Sequence, residues 1–429
     1  MERFFRLQEK NTDVKTEIMA GITTFMTMAY ILFVNPDILS ATGMPFGAIM
    51  TATALSAGVT TILMGLVTNY PFALASGMGL NAMFAFVVAP IAGWEAALGV
   101  VFISGILFLV LSVLGIIDYI DAGIPASLKR ATAAGIGLFI GFIGLQNAEI
   151  IISSEATIVA LGDLSKPDTF LAIIGLVIMA ILMAKRVRGS ILLGILLTTV
   201  VSFFMGITSF PTSLGDIFGF PESVAPIAFR FDFPGALKLG FMTVFAFAFV
   251  DIFDTLGTLV GTGARANFLD QDGRLPKVKE AMIVDAIGTV FGAALGTSTV
   301  TTYVESTAGV TEGGRTGLTA VVVGVLFLAS LFLAPLVGLV PSAATAPALI
   351  IVGVLMMGAV TDIDFQDFTE AFPAFVTMLF MPFAYSIADG IAAGFLAYPI
   401  VKLVAGKHRE VHWFTYVLAL VALVHFVAK

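Results

Sequence analysis

Apolar runs of about twenty residues recur along the whole chain, separated by short polar turns, and each is long enough to cross roughly 30 Å of hydrocarbon as a helix. The runs fall at 17–34, 47–67, 72–90, 95–115, 128–147, 169–185, 189–207, 236–262, 279–296, 298–311, 315–337, 343–360, 366–383 and 386–405. At roughly 20–30 residues per span and loop, the chain crosses on the order of fourteen times, which leaves no length for a separate soluble domain. The pattern predicts an all-α polytopic membrane protein whose main partner is the lipid bilayer. One more apolar segment, 411–428, reads either as a fifteenth span or as a helix lying at the interface.

Two runs depart from the pattern. Residues 72–90 carry Gly77, Gly79 and Asn81 at their middle, and residues 298–311 are short and rich in Thr and Ser. Both read as broken elements, extended and then turning into a half helix. Irregular backbone at membrane depth requires protein or a water-filled cavity to satisfy its polar groups, and paired broken elements point to a transporter's site. The third and tenth runs are seven apart, so the chain divides into two halves of seven. Seven is odd, and the second half is therefore inverted relative to the first.

Composition sharpens this reading without changing it. The chain is 59% hydrophobic and 12% charged, with a mean hydropathy of +1.04. The net charge of −8 is spread over loops and ends and selects no basic partner or nucleic acid. Residues 1–16 are charged and include Glu2, Glu9 and Asp13, unlike a secretory signal, and read as a cytosolic lead-in. With that orientation Lys129/Arg130, Lys185/Arg186/Arg188, Arg265/Arg274/Lys277/Lys279, Arg315 and Lys402/Lys407/Arg409 all fall on the cytosolic side. Only Lys166, Arg230 and Lys238 fall outside, in keeping with the positive-inside rule.

Three carboxylates, Asp251, Asp254 and Glu305, stand where the runs should be deepest in lipid, with no lysine or arginine at that depth. Ionisable groups there are costly and usually face a cavity, a ligand or a proton path. Asp251, Asp254 and Thr258 are spaced i, i+3 and i+7, which predicts one shared helix face. Either aspartate could instead cap a broken element. Glu305 follows Thr297, Ser298, Thr299, Thr301, Thr302 and Tyr303, where free backbone amides beside a carboxylate could read a planar ligand rich in donors and acceptors. Stapling the two broken elements together is its other reading. Asn81 either touches ligand or bonds the facing broken segment, and Phe84, Phe249 or Phe253 could stack on a flat ligand.

Several chemistries lack their residues. There is no GxxxxGK[ST] loop and no HExxH, no cysteine is present, and His408, His412 and His425 are confined to the C-terminal part, so ATP hydrolysis, a metal site and a cofactor are all unsupported. An oxyanion would lack a basic counter-ion beside the acids, although helix N-termini could hold one. A neutral or weakly cationic solute fits better, with proton exchange at the desolvated acids as the coupling. A cation channel should need a continuous polar file, and a scaffold larger loops.

Residues 12–39 (TDVKTEIMAGITTFMTMAYILFVNPDIL), 75–86 (ASGMGLNAMFAF), 249–261 (FVDIFDTLGTLVG) and 297–322 (TSTVTTYVESTAGVTEGGRTGLTAVV) together resemble the AzgA-type hypoxanthine/guanine/adenine permeases of the xanthine/uracil permease superfamily. The resemblance covers nearly the whole chain. It implies a 7+7 inverted repeat split into a core domain, 17–115 with 236–337, and a gate domain, 128–207 with 343–405. It also implies short β-strands in broken spans 3 and 10 that flank the substrate, with Asp251, Asp254, Glu305 and Asn81 binding a purine nucleobase and Thr258 and Phe249 beside them. Related uracil and xanthine permeases often carry glutamate on the eighth span, where shorter aspartates here would suit a bicyclic base. Proton symport by alternating access, import across the cell membrane and a homodimer through the gate domain complete the expectation. An oxyanion or other solute transporter of the same fold is the alternative.

Overall fold

The computed structural model describes residues 2–117, 123–270 and 274–428. Met1 of the expected lead-in and residues 271–273 of the expected core domain lie outside these. Among the described residues, nine helices are long and apolar enough to cross a bilayer on their own. Shorter apolar helices at Met78–Ala92, Ser190–Phe204, Phe368–Phe383 and Trp413–Val427 lie between or beside them.

The helices sort into two packing sets. Gly317–Ala329 packs against both Val14–Met28 and Phe46–Thr68, and Trp94–Leu114, Phe241–Arg265 and Val278–Leu295 complete the first set. Ala126–Asn147, Pro167–Ala184, Ser190–Phe204, Ser342–Met356, Phe368–Phe383 and Ile387–Val404 form the second, with Trp413–Ala428 laid along Ile387–Val404. Between lipid-solvated helices apolar burial gives little drive, so close approach of small residues carries the packing. Gly65 and Gly317 meet backbone to backbone, and a Cβ on Gly317 would run into the Gly65 carbonyl.

Both broken runs are strand-then-helix. Leu74–Ser76 and Val300–Thr302 pair antiparallel in the register Leu74↔Thr302, Ala75↔Thr301, Ser76↔Val300. Gly77 N to Thr299 O at 3.2 Å and Tyr303 N to Ala73 O at 2.9 Å extend the ladder at its two ends. Each strand is buried and runs into a half helix, Met78–Met83 after one and Ser306–Thr311 after the other. The two strands satisfy each other's backbone inside the protein, as the missing water at that depth demands.

Two features differ from the sequence reading. The run expected from 236 is interrupted: Phe233–Lys238 is a short helix of its own, Gly240 turns the chain with φ 84°, and the long helix is Phe241–Arg265. The loop after Asn147 holds an unexpected hairpin, Ile151–Ser154 with Ile158–Leu161.

Candidate functional site

A cavity of about 850 Å³ opens between the two helix sets. One wall is the Phe241–Arg265 helix, through Phe249, Phe253, Asp254, Gly257 and Thr258; Gly77, Gly79 and Leu80 come from the first broken element, and Thr132, Ala133 and Ile136 from the second set. Its mouth is marked by Lys129, Arg130 and Arg274. Arg274 adjoins Lys277, whose Nζ donates to Thr68 O at 3.2 Å, and the neighbouring Asn69 donates to Phe5 O at 2.9 Å. The cavity therefore opens at the end of the molecule where the chain begins.

The eighth-run acids do not share a role. Asp254 is exposed to the cavity, whereas Asp251 is 1% exposed and packs behind the wall. Positions three apart on a helix point about 60° apart, enough for a helix at a cavity edge to set one side chain in the wall and the other behind it. The expectation of one common face is corrected accordingly: Asp254 and Thr258 reach the cavity and Asp251 does not. Phe249 and Phe253 both line it, their rings tilted 51° to each other with centroids 4.6 Å apart.

Behind the wall lies a polar spine absent from the sequence reading. Thr289 Oγ1 donates to Asp251 Oδ2 at 2.7 Å and also contacts Val300 O at 3.1 Å and Val300 N at 3.2 Å. One helical turn away, Asp285 accepts from Thr255 Oγ1 and from Thr302 Oγ1, both at 2.8 Å. Thr255 also lies 2.8 Å from Thr301 Oγ1. Two wholly buried carboxyl groups thus pin the second strand to the Phe241–Arg265 and Val278–Leu295 helices. Asp285 sits inside the apolar run 279–296, and the signal that singled out Asp251 would have found it too.

Glu305 is half-buried at the start of the Ser306–Thr311 half helix and accepts from Tyr30 Oη at 2.9 Å. It is close enough to Asp254 for their charges to interact, although it stands outside the cavity lining. Asn81 is fully buried. Its Oδ1 accepts from Ser76 Oγ at 2.9 Å, and Ser76 O takes the Tyr303 hydroxyl at 2.5 Å. Asn81 thus bonds within its own broken element, while its Nδ2 has no hydrogen-bond partner among the described residues. A buried donor in that condition calls for an explanation such as a ligand or water.

Basic residues do line the same cavity, at its mouth. Lys129 and Arg130 come from the start of Ala126–Asn147 and Arg274 from a loop, and Lys129 Nζ lies 5.5 Å over the Phe253 ring. Segments far apart in sequence bring them to the cavity that Asp254 faces. Among the described residues no cluster of His, Cys, Asp and Glu suits a metal ion.

A multi-pass helical bundle with two paired broken elements and acids at a cavity between two helix sets is the architecture of a membrane transporter. The profile of the Permease family (Xan_ur_permease) matches residues 15–393, so the chain belongs to that family and is a permease rather than an enzyme. The adenine permease AdeP of Escherichia coli K12 is 43% identical over 430 residues, spanning 100% of this chain and 96% of the relative. The guanine/hypoxanthine permease PbuG of Bacillus subtilis 168 is 44% identical over 441 residues, 100% and 99% of the two chains. Among solved structures, the transmembrane domain of a cyanobacterium bicarbonate transporter, BicA, superposes with a TM-score of 0.65 at 15% identity, over 89% of this chain and 97% of that one, a likeness of fold.

Proposed function

We propose that this permease imports purine nucleobases by proton symport, the second helix set acting as a gate against which the first, carrying both broken elements, moves. The observation that carries the reading is the arrangement around Asp254: an exposed carboxyl group in the wall of a cavity, flanked by Thr258 and Phe249, with Glu305 within electrostatic reach. A flat base between Phe249 or Phe253 and the glycine-lined element would offer ring N–H groups to these carboxylates and ring acceptors to donors such as the Thr258 hydroxyl. The names of AdeP and PbuG support a purine as substrate.

Protonation of a buried acid removes a charge that hydrocarbon-facing motion would otherwise have to carry. Asp251 is the better proton carrier and Asp254 the better base contact, because only the second faces the cavity. In this reading the cavity mouth is cytosolic, with the N-terminus on the same side, and two copies pair through the gate set in the cell membrane.

The test is uptake of labelled adenine, guanine, hypoxanthine, xanthine and uracil into proteoliposomes with and without an inward proton gradient, for wild type, Glu305→Gln and Asp254→Asn. Gradient-driven purine uptake that both variants lose supports the reading. No nucleobase uptake under any gradient overturns it and brings forward an oxyanion or other solute.

A further inference from the structure

The segment Asn35-Pro36-Asp37 plays no part in the cavity, yet it holds polar side chains in the middle of an apolar helix, Ile31–Ser40. Asn35 is fully buried, and its Nδ2 donates to Thr53 Oγ1 at 2.7 Å and to Thr297 Oγ1 at 2.9 Å. Thr297 opens the run that becomes the second strand. Two residues further on, Asp37 leaves the first helix set altogether: Oδ1 accepts from Ser342 Oγ and Oδ2 from Thr345 Oγ1, both at 2.7 Å. Ser342 and Thr345 lie in the first turn of Ser342–Met356, a helix of the second set.

The position of this bridge matters as much as its chemistry. Glu17, near the start of the same transmembrane segment, binds Arg315 N at 2.9 Å at the end where the cavity opens. Asp37 lies some twenty residues further along that segment, at the opposite end, where the two sets meet. A second cavity of about 670 Å³ lies at that end, lined by Val87, Lys238, Tyr385, Asp389 and His425 among others. Each end thus has its cavity, and at the outer end the two sets are in addition bridged by two hydroxyl-to-carboxylate hydrogen bonds.

We infer that Asn35-Pro36-Asp37 is the clasp of the outer gate: Asp37 holds the second set closed on the outer side, and Asn35 ties the clasp to the strand beside the site. Pro36 has no N–H, which leaves a carbonyl one turn earlier without its helical donor and gives the segment a point of bending. Any motion that opens the outer side must break both Asp37 bonds. The clasp rests on the alternating-access reading but not on the identity of the solute.

The chain has no cysteine, so single reporters are clean. Val87→Cys reports on the outer cavity and Ala133→Cys on the inner one; each is labelled with a membrane-impermeant maleimide, in right-side-out and inside-out membranes respectively, without substrate. Asp37→Ala removes both acceptors, and the loss of two such bonds shifts a two-state equilibrium by about tenfold or more, so labelling of the outer reporter should quicken by at least about that factor and labelling of the inner reporter slow. Ser342→Ala/Thr345→Ala should do the same from the other side, and adding Asp37→Ala to it should change nothing further. Should Asp37→Ala fail to fold, the hydroxyl pair alone decides. Unchanged labelling of the outer reporter in the folded variants, or effects of the two sides that simply multiply, overturns the clasp. If labelling shifts while no purine is transported, the clasp stands and the substrate reading falls.

Discussion

Thr289 has one hydroxyl hydrogen and three polar neighbours: Asp251 Oδ2 at 2.7 Å, Val300 O at 3.1 Å and Val300 N at 3.2 Å. The strand N–H donates to it, and the shortest contact directs the hydrogen to Asp251. Thr289→Val keeps the branched shape and removes all three interactions. Asp251 Oδ1 has no hydrogen-bond partner among the described residues, so the valine leaves the whole buried carboxyl group without a donor. The lost bond lies between the ~1 kcal/mol of a neutral pair and the ~3 kcal/mol of one to a charged group, and an orphaned strand amide adds at least about 1 kcal/mol. The expected cost is about 2–4 kcal/mol.

The assay is thermal unfolding in detergent, read by the fluorescence of Trp94 and Trp413. Thr289→Val should lower the apparent Tm by several degrees, and Thr289→Ser, which restores the hydroxyl, should recover most of it. Asp251→Asn should cost less, because its side-chain carbonyl still accepts from Thr289. In the double variant the two changes should couple by about 1 kcal/mol or more, as contacting groups do. A Thr289→Val protein that melts with wild type, or a cycle that is strictly additive, would refute the claim that this spine holds the strand.

Three further outcomes are expected. Asp254→Asn should abolish gradient-driven uptake while leaving the Tm within a degree or so of wild type, since Asp254 faces the cavity rather than the packing; a folded variant with normal uptake removes Asp254 from the mechanism. Glu17→Ala should be a poorly folding protein, because the wholly buried carboxylate accepts from Arg315 N, Thr319 N and Thr319 Oγ1; a loss of about 3 kcal/mol or more should show in yield and Tm, with Glu17→Gln recovering part of it. In the loop between Ser342–Asp362 and Phe368–Phe383, the Lys407 ammonium, with the hydroxyl and amide of Thr369, holds the Asp367 carboxyl well below the usual carboxylate range. A depressed folded pKa gives stability that is present above the ordinary value of about 4 and drains away as pH falls toward the folded pKa. The Tm difference between wild type and Asp367→Asn should therefore be steady between neutral pH and about 5 and shrink below about 4; a difference independent of pH would exclude the carboxylate as its source.

The sequence made the membrane helices and both breaks legible because hydrocarbon admits few solutions: long apolar runs must be helices, and a run as rich in Thr and Ser as 297–309 cannot cross as one. Facing was not legible. Asp251 and Asp254 carry the same signal, and only the position of a second helix set decides which of them meets the cavity. Asp285 was within reach, being an acid inside an apolar run, but its partners lie 30 and 17 residues away on different elements. Asn35 meets Thr297 across 262 residues and Asp37 meets Thr345 across 308. The hairpin at Ile151–Leu161 needed only the β-branched residues flanking a short polar turn, yet that signal is easily masked where the neighbouring segments are all helices. Polar side chains in a membrane protein are few enough that each needs a specific partner, and the partner is chosen by tertiary register, which no local spacing encodes. The sequence of such a chain can therefore identify which residues must be satisfied, while the question of what satisfies them belongs to the fold: Asp251 is met by Thr289 and Asp37 by the opposite helix set, whereas Asp254 faces the cavity.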